Sequence, residues 1–151
     1  MTNGWKKFLR EGDLEIAGIV VCLNNEQQFL IIRRSQTDPR GRGGQWTLPG
    51  GHIDDEDTSI EAGAVRELKE ETDLSTNIAD LTYLGEPKPQ KYYFLAQNWH
   101  GEVDVHIPNP KSGNIEHDDY KWATINDVKE IDNTEIPIYL LEKALEMSKN
   151  E

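Results

Sequence analysis

The sequence predicts an α/β fold in which a mixed β-sheet is packed between helices. Short β-branched and aromatic runs occupy the first fifty residues and return after residue 80. Apolar residues at a helical period appear over residues 59–72 and 137–148. Strands, one helix, more strands and a terminal helix are the order expected of a sheet covered on both faces. A length of 151 residues suits one domain with a real hydrophobic core, so residues 1–151 are read as a single domain.

The elements follow in order. Leu14 to Leu23 is apolar and β-branched and reads as a buried strand. Asn24-Asn25-Glu26 is turn chemistry, and Phe29 to Arg33 resumes as the second strand of a hairpin. Pro39, Gly41, Gly43 and Gly44 make Ser35 to Gln45 a loop; Trp46 to Leu48 is a short strand, stopped by Pro49-Gly50-Gly51. Ser59 to Thr72 is a helix with Ile60, Ala64 and Leu68 on its buried stripe. Gly63 within it points to close packing on a sheet, and Asp73 can take the left-handed conformation after it. Leu81 to Leu84 and Tyr92 to Ala96 read as strands on either side of a Pro87/Pro89 break. Glu102 to Ile107 alternates in part, and 108–113 is a loop. Asp119 to Trp122 is a strand and Ile125 to Ile131 a short helix. Pro137 then opens a last helix reaching Ser148, with Ile138, Leu141 and Leu145 on one face.

Composition narrows the function. With 16 Lys+Arg against 28 Asp+Glu the formal net charge is −12, which disfavours a nucleic-acid binder, since phosphates need a basic face. A small anionic substrate stays open, because a bound cation inverts the local field. Cys22 is the only cysteine, so neither an internal disulfide nor a cysteine zinc site can form. Met1 to Arg10 lacks a signal-peptide core, and the longest apolar run, Ile16 to Leu23, is too short to span a membrane. A cytoplasmic protein with no membrane partner is expected.

The chemistry sits in one stretch. Glu67, Glu70 and Glu71 stand at i, i+3 and i+4, so three carboxylates share a helix face. A hard divalent cation with oxygen ligands relieves their repulsion, and Mg²⁺ typically combines a few carboxylates with substrate phosphate oxygens. Leu68 points to the core and turns the acids outward, while Arg66 can pair with Glu70 at i+4. A solvated face rich in Glu and Lys is the plain alternative.

Gly50-Gly51, a loop, then Arg66-Glu67-Leu68-Lys69-Glu70-Glu71-Thr72 resembles the Nudix box, and Trp46-Thr47-Leu48-Pro49-Gly50-Gly51 resembles the strand leading into it. Glu116-His117, followed by Trp122 and a short helix, is similar to the family's distal acidic site. The resemblance spans roughly residues 14 to 146. It implies an α/β/α sandwich and a metal-dependent hydrolase that cleaves the pyrophosphate linkage of a nucleotide, with Mg²⁺ as cofactor and Mn²⁺ as substitute. Glu70 and Glu71 become metal ligands, Glu67 a ligand or an activator of water, and the Gly51 carbonyl a further ligand. Glu116 becomes a ligand or general base, and Arg66 an orienting residue. Arg33 or Arg34 is expected to meet phosphate, and Trp46 to touch substrate. Tyr92, Tyr93 and Trp99 could stack on a base but suit packing better, His52 and His117 suit hydrogen bonding, and Asp54 to Asp57 suits a solvated loop.

Two positions depart from the box. It is one residue longer than usual, so the loop acid falls on Thr58, and its closing Gly is Asp73. The helix's first turns match without a gap from Ser59, which places the extra residue in the loop, where it costs little. Asp57 or Glu56 then takes over the loop acid's role. With Thr58 as N-cap and Glu61 as its capping-box partner, the insertion would lie in the helix instead. Substrate is less legible than chemistry. The compact length and plain Trp-x-x-Pro-Gly-Gly approach resemble members acting on nucleoside or deoxynucleoside triphosphates; ADP-ribose or a dinucleoside polyphosphate is the alternative. A catalytically idle Nudix-fold domain that binds a nucleotide or protein is the rival of another class. A homodimer is the expected assembly.

Overall fold

The computed structural model describes residues 15–36 and 41–149. The expectations for Met1 to Arg10, for Leu14 and for Pro39 lie outside the described residues.

A four-stranded mixed sheet forms the centre. Its order is β4 (Gly50–His52), β1 (Ala17–Cys22), β7 (Lys91–Ala96) and β6 (Leu81–Lys88). β1 and β7 run parallel, with Ile19 opposite Tyr93, and the other pairs are antiparallel. A second, antiparallel sheet holds β3 (Trp46–Thr47), β2 (Phe29–Arg34) and β9 (His117–Ala123). β5 (Ser75–Thr76) and β8 (Trp99–His100) make a small third sheet. The helices are α1 (Ile60–Thr72), α2 (Ile125–Lys129) and α3 (Ile138–Ser148).

Alternation along β1 explains the layers. Val20 and Cys22 pack with Ala64 and Leu68 of α1, whereas Val21 packs with Leu95, Leu140 and Leu141 on the α3 side. Both faces of the strand are therefore buried, as its unbroken apolar run requires. The predicted sandwich is present, and among the described residues no helix is long and apolar enough to cross a membrane.

Several local expectations are corrected. The hairpin of β1 and β2 is held by a single bridge, Leu23 to Phe29, and the two strands belong to different sheets. Each strand gives its two edges elsewhere, β1 to β4 and β7, β2 to β3 and β9. Gly50-Gly51 does not stop the chain: after Leu48-Pro49 it becomes β4, paired with β1. Pro87 lies inside β6, an edge strand where a missing N–H does no harm, and the turn is confined to Pro89-Gln90. Residues 102–107 form no strand, and β9 is longer than predicted, starting at His117.

Helix α1 begins as the loop placement of the insertion requires. Ser59 is its N-cap and accepts from the Ala62 N–H at 3.0 Å, so the Thr58 capping box does not form. Asp73, at φ 65°, closes it in the left-handed conformation. Gly63 is needed for close approach: a Cβ there would overlap Ile53 Cδ1, at the end of the β4–β1 ladder, and lie 2.8 Å from the Asp57 carboxylate in the loop that follows.

Candidate active site

The acidic face of α1 meets the free edge of β4. Pairing of β1 with β4 alternates, with the Val20 N–H donating to the Pro49 carbonyl and the Ile53 N–H to the Ile16 carbonyl. That alternation turns the backbone groups of Gly51 toward β1 and those of Gly50 and His52 outward. The outward groups are used: the Gly50 N–H donates to Glu71 Oε1 at 2.9 Å, and Arg66 Nη2 donates to the His52 carbonyl at 3.1 Å. The carbonyl expected to face a metal, that of Gly51, is thus turned into the sheet, and the outward carbonyl beside the acids is Gly50's. Gly51 serves differently. A Cβ on it would stand 2.6 Å from the Glu67 carboxylate, so only glycine lets that side chain lie against the strand.

Arg66 organises the acids. It pairs with Glu70 at 2.6 Å and Glu67 at 3.1 Å through Nη1, and with Asp57 through Nε at 2.9 Å and Nη2 at 3.0 Å. Asp57 is buried and also accepts from the Asp54 N–H at 2.9 Å. Asp54 itself lies 3.5 Å from Arg66 and 3.4 Å from Lys111. The acidic loop is therefore not simply solvated: Asp57 is the carboxylate that anchors the guanidinium, whereas Glu56 is exposed. Burial works to raise the Asp54 pKa, but Arg66, the Glu56 N–H and Lys111 outweigh it and hold the carboxyl below its ordinary value.

Electrostatics single out two acids. Burial, helped by Glu70 and Glu116 and opposed by Arg66, pushes the Glu67 carboxyl up to about 7. Burial, with Glu67 and Glu116 adding to it, raises Glu71 well above the ordinary carboxylate range, against the pull of the Gly50 N–H and Arg34. Glu116, just before β9, thus acts on both helix acids, and Asn109 holds it with a 2.9 Å hydrogen bond. Among the described residues the carboxylates are not gathered into a ready-made metal nest. Their chemistry nonetheless fits a hard divalent cation. All donors are oxygens, and the protein has crowded more negative charge into a low-dielectric wall than it balances with Arg66.

These residues line one wall of a cleft of about 320 Å³, a size that suits a small nucleotide. Ile19, Trp46, Leu48, Tyr93, Ile136 and Pro137 supply apolar and aromatic lining. The structure brings together Gly51, Arg66, Glu67, Glu70, Glu71, Glu116, Arg34 and Trp46 on this cleft. It does not bring in Arg33, whose Nε donates to Asp118 at 2.7 Å and whose guanidinium lies 5.7 Å from the Trp46 ring centre. Trp99 packs, stacking on Trp122 at 5.2 Å, whereas Tyr93 lines the cleft. Lys88, Lys91, Asn109 and Lys111 also line it and were not foreseen, because nothing local ties loops so distant in sequence to the helix acids.

The NUDIX domain pattern matches residues 14–143, most of the chain. The chain belongs to the NUDIX family. Membership brings the reaction class that the box implied, hydrolysis of a pyrophosphate linkage, and a family-wide use of divalent metal. Solved NUDIX structures share the fold. A MutT NUDIX hydrolase from Burkholderia pseudomallei matches at 22% identity and TM-score 0.64, over 85% of this chain and 96% of that one. An Ap4A hydrolase from C. elegans matches at 22% and 0.62, over 89% and 99%. An ADP-ribose pyrophosphatase from Streptococcus suis matches at 20% and 0.62, over 91% and 93%.

Proposed function

We propose that this NUDIX protein hydrolyses the pyrophosphate linkage of a small nucleotide with Mg²⁺ bound, its first-choice substrate being a nucleoside or deoxynucleoside triphosphate. The observation that carries the reading is the meeting of Glu67, Glu70, Glu71 and Glu116 with the outward Gly50 backbone on one wall of a nucleotide-sized cleft. Glu67, Glu70 and Glu71, with the Gly50 carbonyl, would hold Mg²⁺, and Mn²⁺ could replace it. Bound there, the cation would neutralise phosphate charge and lower the pKa of a water. Glu67 or Glu116 would accept the proton of a water attacking one phosphorus in line, the bond to the bridging oxygen breaking as the leaving phosphate takes its electron pair. Arg66, anchored by Asp57, is a positioning residue. Trp46 and Tyr93 offer rings to the base, and Arg34 offers charge to a phosphate.

The test is phosphate or pyrophosphate release from a panel of triphosphates, ADP-ribose, dinucleoside polyphosphates and nucleotide sugars, with and without Mg²⁺. Metal-dependent cleavage that Glu71→Gln lowers by orders of magnitude supports the reading; full activity in that variant overturns the ligand assignment. Likeness to an Ap4A hydrolase and an ADP-ribose pyrophosphatase keeps those two substrates as the second reading, and the panel separates them. Silence across the panel with nucleotide still bound would favour a binding role. Homodimerisation is carried as a proposal, checked by sedimentation.

A further inference from the structure

We propose that Lys88 and Lys91 clamp the terminal phosphate group of the substrate, so that the cleft selects nucleotides whose phosphate chain ends free over those whose diphosphate is capped by a sugar. The inference rests on the reading above and narrows its substrate. Lys88 and Lys91 are directly opposed across the β6–β7 hairpin, on either side of the Pro89-Gln90 turn. Like charges opposed in this way destabilise a hairpin, yet both are kept in a chain of net charge −12. Both are exposed, and neither pairs with a carboxylate among the described residues. The nearby Glu86 instead accepts from the Gln90 N–H and shapes the turn.

Sheet register places the pair. Lys91 lies opposite Ala17, and Ala17 lies opposite His52, so the lysine is two strand spacings, about 10 Å, from the β4 edge where the acids gather. Tyr93 is two residues further along β7 on the same face, next to Ile19. The acidic wall and the lysine pair therefore lie two strands apart on one cleft, with Ile19 and Tyr93 in the adjoining register row. With the scissile linkage at the acidic wall, the phosphates beyond it come within reach of the lysine pair. A sugar there would leave both ammonium groups without an anion.

Binding of inorganic tripolyphosphate, measured by calorimetry with and without Mg²⁺, tests this on the full-length protein. Lys88→Ala and Lys91→Ala are each expected to weaken Mg²⁺-dependent binding roughly tenfold, and the double variant roughly a hundredfold. The salt dependence of affinity should flatten in parallel. Melting temperature should not fall, and should rise slightly as the opposed charges are removed, and Mg²⁺ affinity alone should be unchanged. Wild-type binding that needs Mg²⁺ and Glu71, but is equal in the lysine variants, overturns the clamp and leaves the hydrolase reading standing. Binding indifferent to Mg²⁺ and to Glu71→Gln overturns both.

Discussion

Asp57→Ala should cost the protein stability out of proportion to the position of Asp57 in an acidic, loop-borne run. Its side chain is 6% exposed, and its two oxygens receive Arg66 Nε at 2.9 Å and Arg66 Nη2 at 3.0 Å. Stranding one partner of a buried pair costs about 3–5 kcal/mol. Here the Arg66 side chain is 29% exposed and keeps Glu67 and Glu70, so part of that cost is recovered and about 2–3 kcal/mol is expected. For a chain of this size each kcal/mol moves the melting temperature by about 2–4 °C, so a fall of about 4–12 °C should appear in a thermal melt. The neighbouring Glu56→Ala, at an exposed site, should stay within about 0.5 kcal/mol. Turnover should fall about tenfold as well, because Arg66 loses the anchor that aims it at Glu70. A melt within 1 °C of wild type, or equal losses from Asp57→Ala and Glu56→Ala, would refute the assignment of Asp57 as the loop acid.

Two further outcomes follow from the same wall. In EDTA at pH 8, Glu67→Gln should melt above wild type. The carboxyl's displacement from 4.5 to about 7 means that the fold binds the proton more tightly than the unfolded chain does. Wild-type stability therefore falls as pH rises from 4.5 through 7, by at most ~3 kcal/mol, and the variant's advantage should shrink to almost nothing near pH 4.5. A variant less stable than wild type at pH 8 would sink this account, and activity in Mg²⁺ should be lost regardless. Gly51→Ala should lower turnover at least a hundredfold while leaving the far side of the sheet intact, since its Cβ would displace the Glu67 carboxylate; near-normal kcat would show that the side chain has room elsewhere.

What could be read from the sequence was local. The helix and the shared face of Glu67, Glu70 and Glu71 follow from spacings within one turn or two, the Asp73 end from residue type, and the Ser59 start, with Thr58 as its alternative, from the match to the box. The Arg66–Glu70 pair followed from i, i+4 geometry. The misreadings were about partners. Gly50-Gly51 looks like a stop to a strand-propensity argument, yet β1 supplies an edge that makes it a strand. Which glycine faces the acids depends on that pairing, not on the motif, so Gly51 was chosen where the ladder exposes Gly50. Asp57 reads from the sequence both as a candidate loop acid beside Glu56 and as part of a solvated charge run, and only the folded loop decides between the two by placing it beneath Arg66. Arg33 and Arg34 alternate across a strand, and the sequence alone left open which of the two faces the cleft.

The two main sheets meet through one bridge at Leu23 and Phe29, and the cleft lies along their seam. Ile19, Gly50, Lys91 and Tyr93 come from one sheet, and Arg34, Trp46 and Thr47 from the other. A ligand that touches both sides acts as a staple: its binding energy is added to the resistance of the seam against opening. Hydrogen exchange should therefore slow on ligand binding at amides along β3 and β4, far more than in the middle of α3, even though the ligand reaches only a few of them. The substrate of such a protein is, for the moments it is held, part of its tertiary structure.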